Sequence, residues 1–463
     1  MRGYLLIIAL AFSAPAATAQ ETSAMSLEEC LQYATRNQVK IKNAMLDYQS
    51  AIARNKEVTG SALPQLSAKG GLNYAPLVAA FTVPNFIKDI IAGSNGAPGL
   101  VEEDALNQDV VNGMPNEMSL AFQPKWTTTG TLELSQMLFN PSLTIALKAR
   151  KTLEELAAKS VDLTTQDVKV AVSKAYYNIL IAEKQQELIL KNIERLEQME
   201  VETKEIYKAG FAEKIDIDRL TVALNNLKTQ NIKIKQMIEL AYLSLKFQMG
   251  MPLEEQIHLS DTLTENTMAN GLLREELDFG ARKEFQLLQI QNKLYSMDVT
   301  RYKMGWLPTL NFFGNYGYTL YNMGRLFAPQ DNWQKSAMLG LNLNMPLFTG
   351  FQRKNQLKQA QFTLEKNKND LDNLKMALTL EKENARITLR NNLLALENQK
   401  DNMQLAEDVY NTARIKYKEG VGSNLEVMDA EAALKEAQTN YFSALYDVMT
   451  SKVDLQKALG QIN

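Results

Sequence analysis

Groups able to do chemistry are few in this 463-residue chain, and they lie far apart. His258 is the single histidine and Cys30 the single cysteine, so neither a zinc site nor an intrachain disulfide can be assembled. The 20 methionines are dispersed over helical faces and read as packing, not as a copper relay. No nucleophile stands beside a paired base, and no glycine-rich phosphate loop occurs. Acidic residues are abundant, but along helical coils they are more often solvated faces than catalytic pairs. The sequence therefore predicts no enzyme, no cofactor and no metal centre. One arrangement stands apart. Tyr207-Lys208-Ala209-Gly210 recurs as Tyr417-Lys418-Glu419-Gly420, 210 positions later. Each copy is followed by an acidic-apolar run, Asp216-Ile217-Asp218 and Glu426-Val427-Met428-Asp429. Glu426 and Asp429 are one helical turn apart and so share a face.

The elements that must position these runs are helical and duplicated. Stretches of well over sixty residues without Gly or Pro precede both copies, predicting helices over about 142–208 and 352–418. At 1.5 Å per residue each would span roughly 100 Å. Return helices are expected at about 213–249 and 423–459, and shorter helices at 26–59 and 276–305, ahead of Leu63-Pro64 and Leu307-Pro308. Val168, Val172, Ala175, Ile179, Ala182 and Leu190 recur at helical spacing, and small residues such as Ala171, Ala406 and Ala413 permit close helix approach. Gly210 and Gly420 stand just past the long helices, where a left-handed residue ends a helix and turns the chain.

Between the helices the period changes from helical to alternating. Leu310, Phe312, Tyr316 and Tyr318 share one face of a strand at about 309–319. Leu339, Leu341, Leu343 and Met345 share one face at about 336–346, with Gly340, Asn342 and Asn344 on the other. The first half has matching runs at about 65–75 (Leu66, Ala68, Leu72, Tyr74) and 125–136 (Trp126, Thr128, Leu132, Leu134). Such lengths suit tilted membrane strands. The organisation expected is a first repeat at 20–250, a linker at 251–275 and a second repeat at 276–463. The long loop at about 75–125 belongs to the first repeat alone. Arg2, the apolar run Leu5 to Phe12 and the small residues Ala17-Thr18-Ala19 predict a signal peptide over 1–19. A net charge of −3 gives nucleic acid no basic face to bind. No stretch of eighteen apolar residues offers a transmembrane helix, so any membrane insertion must be as β-structure.

Four strands cannot close a barrel, and an open sheet edge cannot sit in lipid with its N–H and C=O groups unpaired. Two, three or four protomers would pool eight, twelve or sixteen strands, and strand counting does not choose among them. Two β-hairpins set between paired long helices, duplicated, with Tyr-x-x-Gly-x5-[Asp/Glu] at the tips and the Leu-Pro strand starts, resemble the TolC family of outer-membrane factors. The resemblance covers essentially the whole mature chain and is strongest over Tyr207 to Leu224 and Tyr417 to Leu434.

The resemblance implies a mainly α fold with a transmembrane β-barrel: a homotrimer with a twelve-stranded barrel in the Gram-negative outer membrane and a helical α-barrel in the periplasm. It implies a closed tip opened by a periplasmic adaptor and an inner-membrane pump of RND or ABC type. By the same resemblance Glu426 and Asp429 would form a lumenal acidic ring, and Tyr417 and Asp216 a gate latch. The arginine that completes this latch in related proteins falls at Gly422, with Lys214 or Lys418 as possible substitutes. Gly210, Phe211, Gly420, Val421 and Gly422 would form the tip turns and adaptor contacts. Two other readings of the helices are a periplasmic adaptor with a coiled-coil hairpin and a structural coiled-coil stalk. Neither needs paired strands of barrel length.

Overall fold

The computed structural model describes residues 23–92, 113–121, 124–262, 271–322 and 333–462. The segment 1–19 and much of the loop at 75–125 lie outside them, as does part of the linker at 251–275. Two compact units are present, Met1–Ala53 with Arg150–Ser296 and Gln361–Asn463, and Arg54–Ala149 with Met297–Ala360. They cut across the sequence repeats: each unit takes residues from both.

In the first unit a short strand β1 (Ser23–Met25) leads into α1 (Leu27–Asn37) and α2 (Val39–Gly60). A capping box starts α1: the Ser26 N–H donates to Glu29 Oε2 at 2.7 Å, and the Glu29 N–H to Ser26 Oγ at 3.4 Å. The single helix expected at 26–59 is broken at Gln38, which is extended (φ −63°, ψ 128°). The break has a purpose. Gln38 Nε2 donates to the Gln248 carbonyl (2.9 Å) at the C-terminus of α5 (Lys214–Met249), and to that of Phe247 (3.2 Å), which also accepts from the Gly250 N–H at 3.1 Å.

The second repeat does the same with a different residue. Its helix α6 (Lys283–Met304) begins seven residues later than the expected 276. Two 3₁₀ turns, Leu272–Arg274 and Phe279–Ala281, precede it. Arg282, also extended (φ −75°, ψ 122°), donates Nη1 to the Ala458 carbonyl at 2.8 Å, at the end of α8 (Asn424–Leu459). Gly250 (φ 71°) and Gly460 (φ 74°) end these return helices in the left-handed conformation. A Cβ at Gly250 would lie 2.8 Å from the Asn37 carbonyl oxygen, and one at Gly460 3.1 Å from that of Ala281. Strand β6 (Ile257–Leu259) pairs in parallel with β1. Cys30, Val172, Tyr176, Ile179, Leu245 and Met249 fill the core beneath.

The long helices are α4 (Pro141–Lys208) and α7 (Gln352–Lys418). Towards their tips they pack with α5 and α8 around Leu196, Met199, Leu220, Leu227, Tyr410, Val427 and Leu434.

The second unit holds a four-stranded antiparallel sheet of β2 (Gln65–Tyr74), β5 (Trp126–Phe139), β7 (Thr309–Asn322) and β8 (Trp333–Asn344), hydrogen-bonded in that order. β5 and β7 join the two hairpins, and β2 and β8 are its edges. The register aligns the four alternating runs. Leu66, Leu134, Gly314 and Leu339 form one row across the sheet, Ala68, Leu132, Tyr316 and Ala337 another. All the apolar sets thus share one face, and most of that face is exposed, with Leu66 at 71%, Leu339 at 75% and Leu341 at 64%. The other face carries Lys69, Thr131, Glu133, Asn311, Asn315 and Asn342, with Lys69 paired to Glu133 at 2.5 Å. In the loop at 75–125 the periodicity missed a separate antiparallel strand pair, β3 (Ala80–Pro84) with β4 (Glu117–Ala121), and a short helix α3 (Phe86–Ala92).

Candidate gate at the helical tips

Each long helix ends in a turn set by its glycine. Gly210 (φ 81°) and Gly420 (φ 76°) take the left-handed conformation. The N–H of the next residue, Phe211 or Val421, reaches back to the carbonyl of Ile206 or Lys416 at 3.0 Å. This is the bonding of a Schellman cap. It leaves Phe211 and Val421 at the surface, 87% and 79% exposed, so both tips present an apolar side chain to whatever meets them.

The two turns differ at one point. In the second, the Gly422 N–H also bonds the Lys416 carbonyl at 3.1 Å. A Cβ on Gly422 would sit 2.9 Å from Lys416 Cβ and 3.1 Å from the Tyr417 nitrogen. The turn as built leaves no room for a side chain at 422 unless its neighbours shift, a backbone reason for glycine at the position where the family resemblance leads one to expect an arginine.

Asp216 and Tyr417 come near one another without bonding. Asp216 Oδ2 accepts from the Glu213 N–H at 3.1 Å, closing the first turn of α5. Its other oxygen accepts from Asn424 Nδ2 at 3.1 Å, and the same amide nitrogen donates to the Asp216 carbonyl at 3.1 Å. Asn424 is buried at the start of α8, so these two bonds tie the second tip to the first. The Tyr417 hydroxyl lies beside the Thr203 hydroxyl instead, and both are buried without a hydrogen bond of good geometry. Burial is the main cause that pushes the Tyr417 phenol up, with the nearby Asp216 charge adding to it. The inter-tip link of this protomer is therefore Asp216–Asn424, not Asp216–Tyr417. Lys214 and Lys418 form no link with Asp216; Arg219 Nη1 approaches its Oδ1 at 4.0 Å.

Glu426 and Asp429 are both exposed in the first turns of α8, while Val427 and Ala430 between and beside them are buried. The helix is capped by Ser423, whose Oγ accepts from the Glu426 N–H at 3.2 Å. A hydroxyl thus does the capping, and the two carboxylates stay free to face solvent on one side. Two residues beyond Asp429, burial raises the Glu431 carboxyl above its ordinary range, against the pull of Lys435 and Arg195. Glu431 lines a largely apolar groove of about 490 Å³ between α5 and α8, with Ile215, Val222 and Met428.

Sequence reasoning missed Asn424 and Thr203. Asn424 is in contact with a residue 208 positions away, and no local spacing carries that. The Ser423 cap has a local signature, Ser-x-x-Glu ahead of an apolar run. Among the described residues no helix is long and apolar enough to cross a membrane, and no cluster of His, Cys, Asp and Glu could hold a metal ion.

Residues 282–461 match the sequence profile of a family described as outer membrane efflux protein. The chain is 22% identical over 356 residues to the outer membrane protein TolC of Salmonella enteritidis, covering 73% of this chain and 70% of that one. It is 23% identical over 346 residues to the proteases secretion protein PrtF of Dickeya chrysanthemi, covering 72% of each. The crystal structure of the outer membrane protein VceC from Vibrio cholerae superimposes with a TM-score of 0.68 at 14% identity, over 94% of this chain and 96% of that one. The last likeness is one of fold.

Proposed function

We propose that the chain is a TolC-family outer-membrane factor, as its match to the outer membrane efflux protein family over residues 282–461 and its likeness to TolC support, and that it is the outer-membrane exit duct of an efflux or type I secretion system. It conducts substrates outward from the periplasm or the pump, gated at the helical tips, and performs no chemistry on them. The family match is to an outer membrane efflux protein, which favours this reading over the periplasmic adaptor. One observation carries the reading: the register collects the alternating apolar runs on one largely exposed face of a sheet whose opposite face is mostly polar, with Phe313, Tyr321 and Met338 among its polar residues. A sheet with lipid on one side and an aqueous lumen on the other needs that division.

Closure follows from the edges. With the outer edges of β2 and β8 lacking a strand partner among the described residues of one protomer, three copies supply twelve strands, in keeping with the family resemblance. The periplasmic adaptor and the RND or ABC pump meet the tips, where Phe211 and Val421 supply exposed apolar contact and Gly210, Gly420 and Gly422 hold the turns. In the trimer Glu426 and Asp429 of each copy line the constriction as a ring of six carboxylates, attracting cations and repelling anions. Tyr417 joins the latch when the tips shift, through the hydroxyl that is unbonded in this state. The test is conductance in planar bilayers. Glu426→Gln with Asp429→Asn should raise conductance and reduce cation preference; unchanged selectivity in the double variant would sink the ring.

A further inference from the structure

At the helix-side end of the four-stranded sheet, the N-termini of α4 and α7, the last turn of α6 and the ends of β7 and β8 enclose a polar cavity of about 350 Å³. The guanidinium groups of Arg301 and Arg353 line it, with Asn140, Tyr302, Asn344 and Gln356, and no carboxylate does. Arg301 is engaged. It bonds Asp298 Oδ1 at 2.7 Å and lies 4.4 Å over the Tyr302 ring. Arg353 has no ion pair and no hydrogen-bond partner among the described residues. Gly305 keeps its approach open, because a Cβ there would stand 3.3 Å from Arg353 Nη1.

The backbone adds positive potential to the same space. Asn140 Oδ1 accepts from the N–H groups of Ser142 (2.9 Å) and Leu143 (3.2 Å) at the start of α4. This uses its acceptor and leaves its amide hydrogens to donate. The start of α7 reaches the same cavity through Arg353 and Gln356, so the positive ends of two helix dipoles converge on it. An unpaired guanidinium, a second one held in place, amide donors and two helix N-termini match a tetrahedral oxyanion.

The depth of the cavity points to the source. Trp306, Leu307, Leu347, Phe348 and Phe351 are exposed on the segments beside it, at the end of the apolar sheet face. A belt of aromatic and apolar side chains in that position marks the membrane–water interface. We propose that this cavity binds a phosphate oxyanion, held chiefly by Arg353, and that at this depth the phosphate is that of an anionic phospholipid headgroup on the periplasmic side. The headgroup source rests on the duct reading; the oxyanion chemistry rests on the cavity alone.

The test uses the full-length protein purified in detergent. Native mass spectrometry reads retained phosphatidylglycerol against phosphatidylcholine, and calorimetry reads inorganic phosphate. Wild-type protein should retain phosphatidylglycerol preferentially. Arg353→Gln should weaken that retention about tenfold, the loss expected for one charge-assisted contact, with melting temperature and oligomeric state unchanged. Gly305→Ala, which crowds the same guanidinium, should weaken it as well and covers the case of an unstable Arg353 variant. Binding of inorganic phosphate without phosphatidylglycerol would overturn the lipid source. Binding of neither, or equal binding by Arg353→Gln and wild type, would overturn the site. Conductance measured on the same preparations separates the two readings: lipid bound to a protein that forms no channel counts against the duct and not against the cavity.

Discussion

Asn424 holds the two tips together through one side-chain nitrogen and two acceptors on Asp216. Replacing it with alanine removes two hydrogen bonds, one of them to a carboxylate, and should cost about 2 kcal/mol of thermal stability. Asn424→Asp is the sharper probe, because it sets a second carboxylate against Asp216. Repulsion should part the tips at neutral pH and raise conductance, and the excess should vanish as the pH falls through about 4, where carboxylates protonate. Conductance that is high but independent of pH would reject the contact as the latch.

Glu431 gives a second pH dependence. Its folded-state carboxyl is raised by burial, so its stabilising share is fully present below the unfolded carboxylate value. That share is lost as pH rises through the raised one. At pH 7 the residue is therefore a burden, and Glu431→Gln should raise the melting temperature there while leaving it unchanged under acid conditions. Burial acts in the same direction on Cys30, which is fully buried and has its thiol pushed up to about 12. It should resist maleimide labelling at pH 8 until the protein is denatured.

At the scale of elements, Gln38 and Arg282 do one job with different chemistry. Both interrupt a helix in an extended conformation, 244 positions apart, and both cap the carbonyl end of a return helix. Arg282 is also fully buried and bonds Glu284 (3.2 Å) and Glu381 (2.8 Å). Arg282→Ala strands Glu284 and opens the α8 terminus, a loss of about 3 kcal/mol in chemical denaturation. Arg282→Gln combined with Glu284→Gln copies the solution of the first repeat and should recover most of it. A double variant as unstable as Arg282→Ala would show that charge, not capping, is what the site needs.

These junctions show where sequence reading stops. The long helices were legible because nothing in them contradicts a helix, and Gly210 and Gly420 announce their own turns. The breaks at Gln38 and Arg282 carry no proline or glycine; they arise because orphan carbonyls of a helix more than 170 residues away need donors. The same holds at the tips. The acidic pair on α8 could be read from spacing, whereas Asn424 opposite Asp216 is a tertiary contact with no local trace.

For the whole molecule, the arrangement of faces and edges decides the assembly. The strands alternate in sequence, but alternation does not say whether four apolar faces fall on the same side; the register puts them there. Leu341 opposes Phe312 on the apolar face, and the adjacent Asn342 opposes Asn311 on the polar one. If lipid covers the first face, Leu341→Arg should cost about 2–4 kcal/mol of membrane assembly while Asn342→Arg, one residue away, costs far less. The edges impose a further condition. Among the described residues the outer edges of β2 and β8 each offer a row of backbone donors and acceptors with no strand partner, which lipid cannot satisfy. The protomer should therefore be absent from the membrane as a monomer. Its detergent-extracted form should have three times the mass of one mature chain, and Leu341→Arg should reduce the amount of that species without changing its stoichiometry. A stable membrane-bound monomer would mean that the strands close their edges by some pairing other than with neighbouring copies.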